Sequence, residues 1–357
     1  MLRPSADAAA PAAAAALPAA RGALSDALLA ALREPVRPQP ALVAAAARHA
    51  EALAERDADA LADEDLQLTC YLAYELHYRG LPGVDDDWEW HPDVLAVTRS
   101  LEAPFERSLR MLAAPRLAVL PIDPAEVPAA LTALVDADDG PSLSKHLARR
   151  GERVHYQEFL AHRSIYHLRE ADPHTWAIPR LVGEPKAALV EIQADEYGGG
   201  RAEWMHAALF AQTMRGLGLD DGYGRFVDAV PAATLAWANA MTFLGLHRRL
   251  RGAAVGHLAA LEMTSSLPNR RYGNGLRRLG LDEPTTRFFD EHVEADAVHE
   301  QIAAHDLAGR LARSEPGLTG DILFGAATAL ALDAVVARAL LDAWTAGRSS
   351  LRALPEP

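Results

Sequence analysis

The stretch EHVEADAVHE, residues 291–300, places His292, Asp296 and His299 at i, i+4 and i+7. On a helix each residue advances about 100°, so the three side chains fall within an arc of roughly 60°. Phe288, Phe289 and Ala303 project within or beside that arc, so the stripe faces a core. Ionisable groups among apolar neighbours are costly, on the order of several kcal/mol, unless something matches them. A metal ion supplies such a match. The simpler alternative pairs each histidine with a core carboxylate by a hydrogen bond. Three groups on one arc favour the metal, provided that other helices contribute carboxylates.

Other helices do. Glu262 ends VGHLAALE, with Val255, Leu258 and Ala259 at i−7, i−4 and i−3 on the same face. His206 has Phe210 at i+4 and Leu217 at i+11, again an inward face. Glu196 stands ten residues before His206, and the intervening YGGG can break the helix and turn both groups toward one point. Glu170 follows Tyr166 and His167 by one turn. Each glutamate alone would read as a surface residue. Together, four carboxylates and three imidazoles suit two iron or manganese ions inside a helical bundle, and four negative charges balance two divalent cations.

The elements that must position these groups are helices. Alanine, leucine and arginine dominate, and no alternating β-branched run marks a strand, so the fold is expected to be all-α. Helices are predicted over 41–56, 64–79, 93–114, 125–135 and 142–150, then over 152–171, 176–196, 201–217, 221–229, 231–249, 252–265, 269–279, 284–312 and 317–346. The proline- and glycine-rich stretches 33–40, 79–92 and 120–128 separate elements. VDDDWEWHP is expected to be a solvated loop. Glu75 and His77, two residues apart, face different sides of a helix and do not form a chelating pair.

The chain has 357 residues, half of them hydrophobic, enough for at least one large core. A net charge of −14 gives no uniform basic surface for nucleic acid or an anionic membrane. Cys70 is the single cysteine, which excludes an internal disulfide and any cysteine-rich metal cluster. No uncharged apolar run reaches the roughly 20 residues of a membrane span. The alanine-rich start, interrupted by Pro11 and Pro18, resembles a signal peptide only superficially, so a cytoplasmic location is expected. The expected organisation is an unstructured Ala/Pro-rich tail over 1–39, an N-terminal helical region over 40–149, the main helical domain over 150–349 and a short tail over 350–357.

The order Glu170, Glu196, His206, Glu262, His292, Asp296, His299, ending in FFDEHVEADAVH, resembles the haem-oxygenase-like diiron oxidases and oxygenases. Their signature is a late H-x-x-x-D-x-x-H helix preceded by three glutamates and a histidine, and the resemblance covers roughly 150–349. It implies a haem-oxygenase-like helical bundle with two Fe2+ ions and O2 as co-substrate. It also implies Glu196, His206 and His299 on one iron, and Glu170, His292 and Asp296 on the other. Glu262 would lie between or beside them in a catalytic role. The reactions implied on a small organic substrate are N-oxygenation of an amine and oxidative C–H or C–C cleavage. No NAD or flavin fingerprint is visible, so a separate electron donor is expected; a homodimer is left open.

Glu203 and His206 form the E-x-x-H pair of ferritin-like bundles, so Glu203 is an alternate ligand to consider. Arg163 and Arg169 flank Glu170; they could steer a substrate carboxylate, although solvated side chains are the simpler expectation. Two rival readings stand. A haem-binding protein of the same fold would need one proximal histidine, for which His155, His162 or His167 would serve. A metal-free helical scaffold would pair its histidines with its acids.

Overall fold

The computed structural model describes residues 16–118 and 123–352, and only the backbone of 294–297. Among the described residues every regular element is helical. The first six helices are α1 (Ala23–Leu32), α2 (Pro40–Glu55), α3 (Glu64–Glu75), α4 (Pro92–Leu117), α5 (Val127–Asp136) and α6 (Leu143–Arg150). Next come α7 (Arg153–His167), α8 (Asp172–Thr175), α9 (Gly183–Glu196), α10 (His206–Gly216) and α11 (Ala232–Leu246). The last four are α12 (Arg251–Arg278), α13 (Glu283–Gln301), α14 (Arg310–Ser314) and α15 (Thr319–Thr345), with a π-helical segment, Ile302–Gly309, joining α13 to α14.

The two longest, α12 and α15, pack most extensively, and small residues bring their backbones together. A Cβ added to Gly256 would stand 1.8 Å from the Ile322 carbonyl oxygen, and one added to Gly325 would stand 1.9 Å from that of Ala253. Only glycine permits this approach. α13 lies against α12 and α10, and the π-helical segment against α9 and α12. The N-terminal helices join the same core: α4 and α5 pack on α15, α3 on α11, and α6 on α12. Pro316–Thr345 is long and apolar enough to cross a membrane, yet 72% of its apolar window is buried inside the fold.

Four expectations are corrected. Within the segment expected to be an unstructured tail, 23–32 form α1, whose Leu24, Leu28, Leu29 and Leu32 are buried in the core. Arg21 fastens it by an ion pair with Glu64 and a hydrogen bond to the Val230 carbonyl. Pro268 does not divide 252–279 into two helices. α12 runs through it, because packing on α6, α13 and α15 outweighs the one backbone hydrogen bond that proline removes. Of the helix expected over 221–229, only a 3-10 turn at Val227–Ala229 forms. The loop expected to be solvated holds Trp88, which is fully buried, beside Trp90, which is exposed.

Candidate metal centre

Five elements deliver the polar groups. α9 stops at Glu196 because Gly198, Gly199 and Gly200 all adopt left-handed backbone, which non-glycine residues resist. The chain then returns to start α10 at His206. α13 begins at Asp282, whose side chain accepts the Thr285 N–H, with Pro284 in the first turn. Glu170 sits just beyond α7, next to Ala171, which is held at φ 75°. A non-glycine residue in that region is strained, and such strain concentrates at functional sites.

The ligand atoms gather in two groups, Glu170 with His206 and His292, and Glu196 with Glu262 and His299, each with its atoms within 4.8 Å of one another. All six residues are buried. Thus six of the seven sequence candidates are brought together; the side chain of the seventh, Asp296, lies outside the described residues. The grouping differs from the one that the resemblance implied, since His206 falls with Glu170 and His292. The reason is geometric: the His206 ring packs against His292, with centroids 4.3 Å apart, while its Nδ1 lies 2.9 Å from Glu196 Oε2. His206 stands between the two groups.

Partners around the ligands orient the rings. His292 Nδ1 meets the Phe288 carbonyl at 2.8 Å, so this nitrogen donates and Nε2 faces Glu170 Oε1 at 3.6 Å. His299 Nε2 meets Asp195 Oδ2 at 3.0 Å, which turns Nδ1 toward Glu262 Oε2 at 3.4 Å. Both are arrangements that metal-bound histidines use to fix tautomer and direction. His167 Nδ1 lies 2.6 Å from Glu170 Oε1. Asp195 and His167 were not assigned to the site from sequence; an acid beside Glu196 and a histidine one turn before Glu170 were the only signals.

The electrostatics ask for positive charge. Burial alone would lower the His299 pKa, but the hydrogen bond and charge of Glu262 outweigh it and raise it to about 9. Burial of His206 is likewise outweighed by Glu196, so its pKa is raised. Glu170 is held well below the carboxylate range because His167 and His292 outweigh its burial. Glu170 Oε2, Glu196 Oε2 and His206 Nδ1 are buried without a hydrogen-bond partner among the described residues, as expected of atoms that converge on a cation. An oxygen and imidazole donor set without sulfur fits iron or manganese. The residues therefore fit a metal centre.

The other candidates lie elsewhere. Glu203 is exposed, on a 3-10 turn before α10, and does not join either group. The three histidines considered for haem are engaged: His167 with Glu170, His162 with Thr234 and Ser350, and His155 against Trp344. Arg169 is not solvated; it is buried against Glu75 and the Tyr78 ring. Arg163 is mostly buried too, paired with Asp333.

A cavity of about 490 Å³ opens beside the centre. Glu170, Glu196, Glu262 and His292 line it, together with aromatic side chains such as Phe159, Tyr166, Trp237 and Phe288 and with further polar groups. This geometry places a substrate-sized space of mixed polar and apolar lining against the ligand groups.

Residues 157–334 match the family described as iron-containing redox enzymes. Over these residues the chain belongs to that family. Its all-α fold among the described residues is haem-oxygenase-like, as that family implies. The matched span holds six described candidate ligands and Asp296. The chain is also similar to a nitrosourea synthase of Streptomyces achromogenes subsp. streptozoticus, with 28% identity over 161 residues. That match covers 44% of this chain and 34% of the relative, so this chain corresponds to about a third of the relative's length.

Proposed function

We propose that the chain is an O2-activating oxidase or oxygenase that uses two ferrous ions and acts on a small organic substrate. The observation that carries this reading is the pair of buried ligand groups, joined where His206 Nδ1 approaches Glu196 Oε2 to 2.9 Å. Asp296 is proposed as the seventh ligand from its place one turn after His292. When bound, the two irons supply the electrons and open coordination positions through which O2 reacts with the substrate.

The chain's residues do the rest. Phe288 and Asp195 hold the His292 and His299 rings in position. Glu262 is assigned the catalytic part, because a carboxylate can present one oxygen or two and so vary the space beside a metal. The aromatic walls hold the apolar part of the substrate against the centre.

The nitrosourea synthase relative makes a product class that contains nitrogen–oxygen bonds, which favours N-oxygenation of an amine over C–H or C–C cleavage. A separate protein is proposed as the electron donor. The test is metal content after anaerobic ferrous loading, followed by O2 uptake. About two irons per chain and iron-dependent O2 consumption are expected, with iron lost and helical content kept in His292→Ala. Full iron occupancy in that variant would discard the ligand assignment, and a stable protein indifferent to iron would favour the metal-free scaffold.

A further inference from the structure

Two histidines that neither ligand group uses meet beside the cavity. His174, on α8, brings its Nε2 within 3.2 Å of Nδ1 of His257, on α12, with ring centroids 5.3 Å apart. Both side chains are buried, and His174 lines the cavity together with Glu170 and Glu196. The outer nitrogens, His174 Nδ1 and His257 Nε2, are buried without a hydrogen-bond partner among the described residues. Buried polar atoms are nearly always paired, so two orphans at the ends of one linked pair call for a task.

The fold is built to place this pair. The chain leaves Glu170 through Ala171, at φ 75°, and that turn starts α8. α8 is pressed onto α11 so closely that a Cβ on Gly245 would stand 2.2 Å from the Pro173 carbonyl oxygen. The Tyr197 hydroxyl donates to Asp172 Oδ1 at 2.8 Å and lies 2.8 Å from Thr175 Oγ1, which fastens α8 to the end of α9 beside Glu196.

A neutral imidazole carries one N–H and one bare nitrogen. When two neutral rings share a hydrogen bond, one outer nitrogen holds a proton and the other is bare. Burial lowers the His174 pKa to about 4 and takes that of His257 well below its ordinary value, so both rings rest neutral at neutral pH.

We propose that His257 and His174 form a proton relay that ends at the cavity. This rests on the O2-activating reading given above, because reduction of O2 consumes protons. A proton from water is taken up at His257 Nε2, the shared proton crosses from His257 Nδ1 to His174 Nε2, and the proton on His174 Nδ1 leaves into the cavity. Each ring ends neutral with its proton on the other nitrogen, and passage of one proton in the reverse direction restores the start. A concerted shift of this kind leaves no buried imidazolium behind, the species that burial disfavours.

The test replaces His257 with glutamine, whose amide can still bond His174 but passes no proton. Iron-dependent O2 uptake is measured in ordinary and in heavy water, on the full chain loaded anaerobically with ferrous iron. His257→Gln is expected to keep its iron and helical content, to slow O2 uptake by about tenfold or more, and to enlarge the solvent isotope effect, since proton delivery then limits the rate. His174→Gly should show the same loss, and added imidazole should restore it. A readout without iron comes from nitrogen NMR of the metal-free full chain carrying isotope-labelled histidine. Both rings should be neutral and of the same tautomer, as the shared bond requires. Undiminished O2 uptake in both variants would overturn the relay, as would losses that neither enlarge the isotope effect nor respond to imidazole. A charged ring or unlike tautomers would overturn it equally. Should either variant fail to fold, the other carries the kinetic test, and the spectra of the unaltered chain stand in any case. Iron content and O2 uptake of the unaltered chain are read alongside. Normal values with any of these contrary results defeat the relay alone, whereas absent iron or absent O2 uptake defeats the reading of the centre on which it stands.

Discussion

His206 Nδ1 lies 2.9 Å from Glu196 Oε2, and the two buried atoms meet outside hydrogen-bond geometry. A cation bound at the centre would replace the charge that Glu196 now draws onto His206. The contact also links the two ligand groups, since Glu196 belongs to one and His206 to the other. Replacing His206 with alanine should therefore lower bound iron at both positions. The expected outcome is fewer than one iron per chain, measured by metal analysis, with the far-ultraviolet circular dichroism of a helical protein retained. Retention of one full equivalent would show that the two groups bind independently.

Asp195 gives a separable prediction. Its carboxylate is 61% exposed, so its removal costs the fold little, yet it orients the buried His299 ring. Asp195→Asn should reduce iron affinity about 10- to 100-fold, the usual effect of losing an outer partner of a metal-bound histidine. Chelator competition measures it. Unchanged affinity would show that packing alone orients His299.

Gly256 tests how the helix that carries Glu262 is held. A methyl group there would overlap the Ile322 carbonyl oxygen, so α12 and α15 must separate. Gly256→Ala should destabilise the fold by about 1–3 kcal/mol or more and lower iron affinity through displacement of Glu262. Urea unfolding of the metal-free protein reads the first effect; a stability equal to that of the parent would contradict the close approach.

His162 predicts a pH dependence. It is buried between Thr234 and Ser350, and burial depresses its pKa from 6.5 to about 4. The unfolded chain takes up a proton at this residue below pH 6.5, and the native protein does so only near 4. Acid therefore favours unfolding, and stability falls through that window by about 3 kcal/mol from this group. Above pH 6.5 the group contributes no pH dependence. His162→Gln removes the titration, so its stability relative to the parent should improve by about that amount between pH 7 and pH 4. A difference that stays constant with pH would refute the assignment.

Much of this was legible because helices report on themselves. The 3.6-residue period put His292, Asp296 and His299 on one stripe, and three consecutive glycines announced the turn between Glu196 and His206. The sequence alone thus determined the all-α class, the inward faces and the set of candidate ligand residues.

What only the tertiary structure decided was which groups meet. Spacing along a chain gives the face of a helix but not its neighbour, so His206 could be assigned to a group only once its ring was placed against His292. Asp195 looks like any exposed acid until α9 and α13 bring it within 3.0 Å of His299. Pro268 reads as a break, and α1 as tail, because the contacts that sustain α12 and bury Leu28 come from distant segments. Arg163 and Arg169, six residues apart in sequence, diverge for the same reason: one packs against Glu75, and the other faces the cavity with Asp333. Local periodicity is encoded locally, whereas partnership between buried charges is settled by packing, where desolvation makes each pairing decisive.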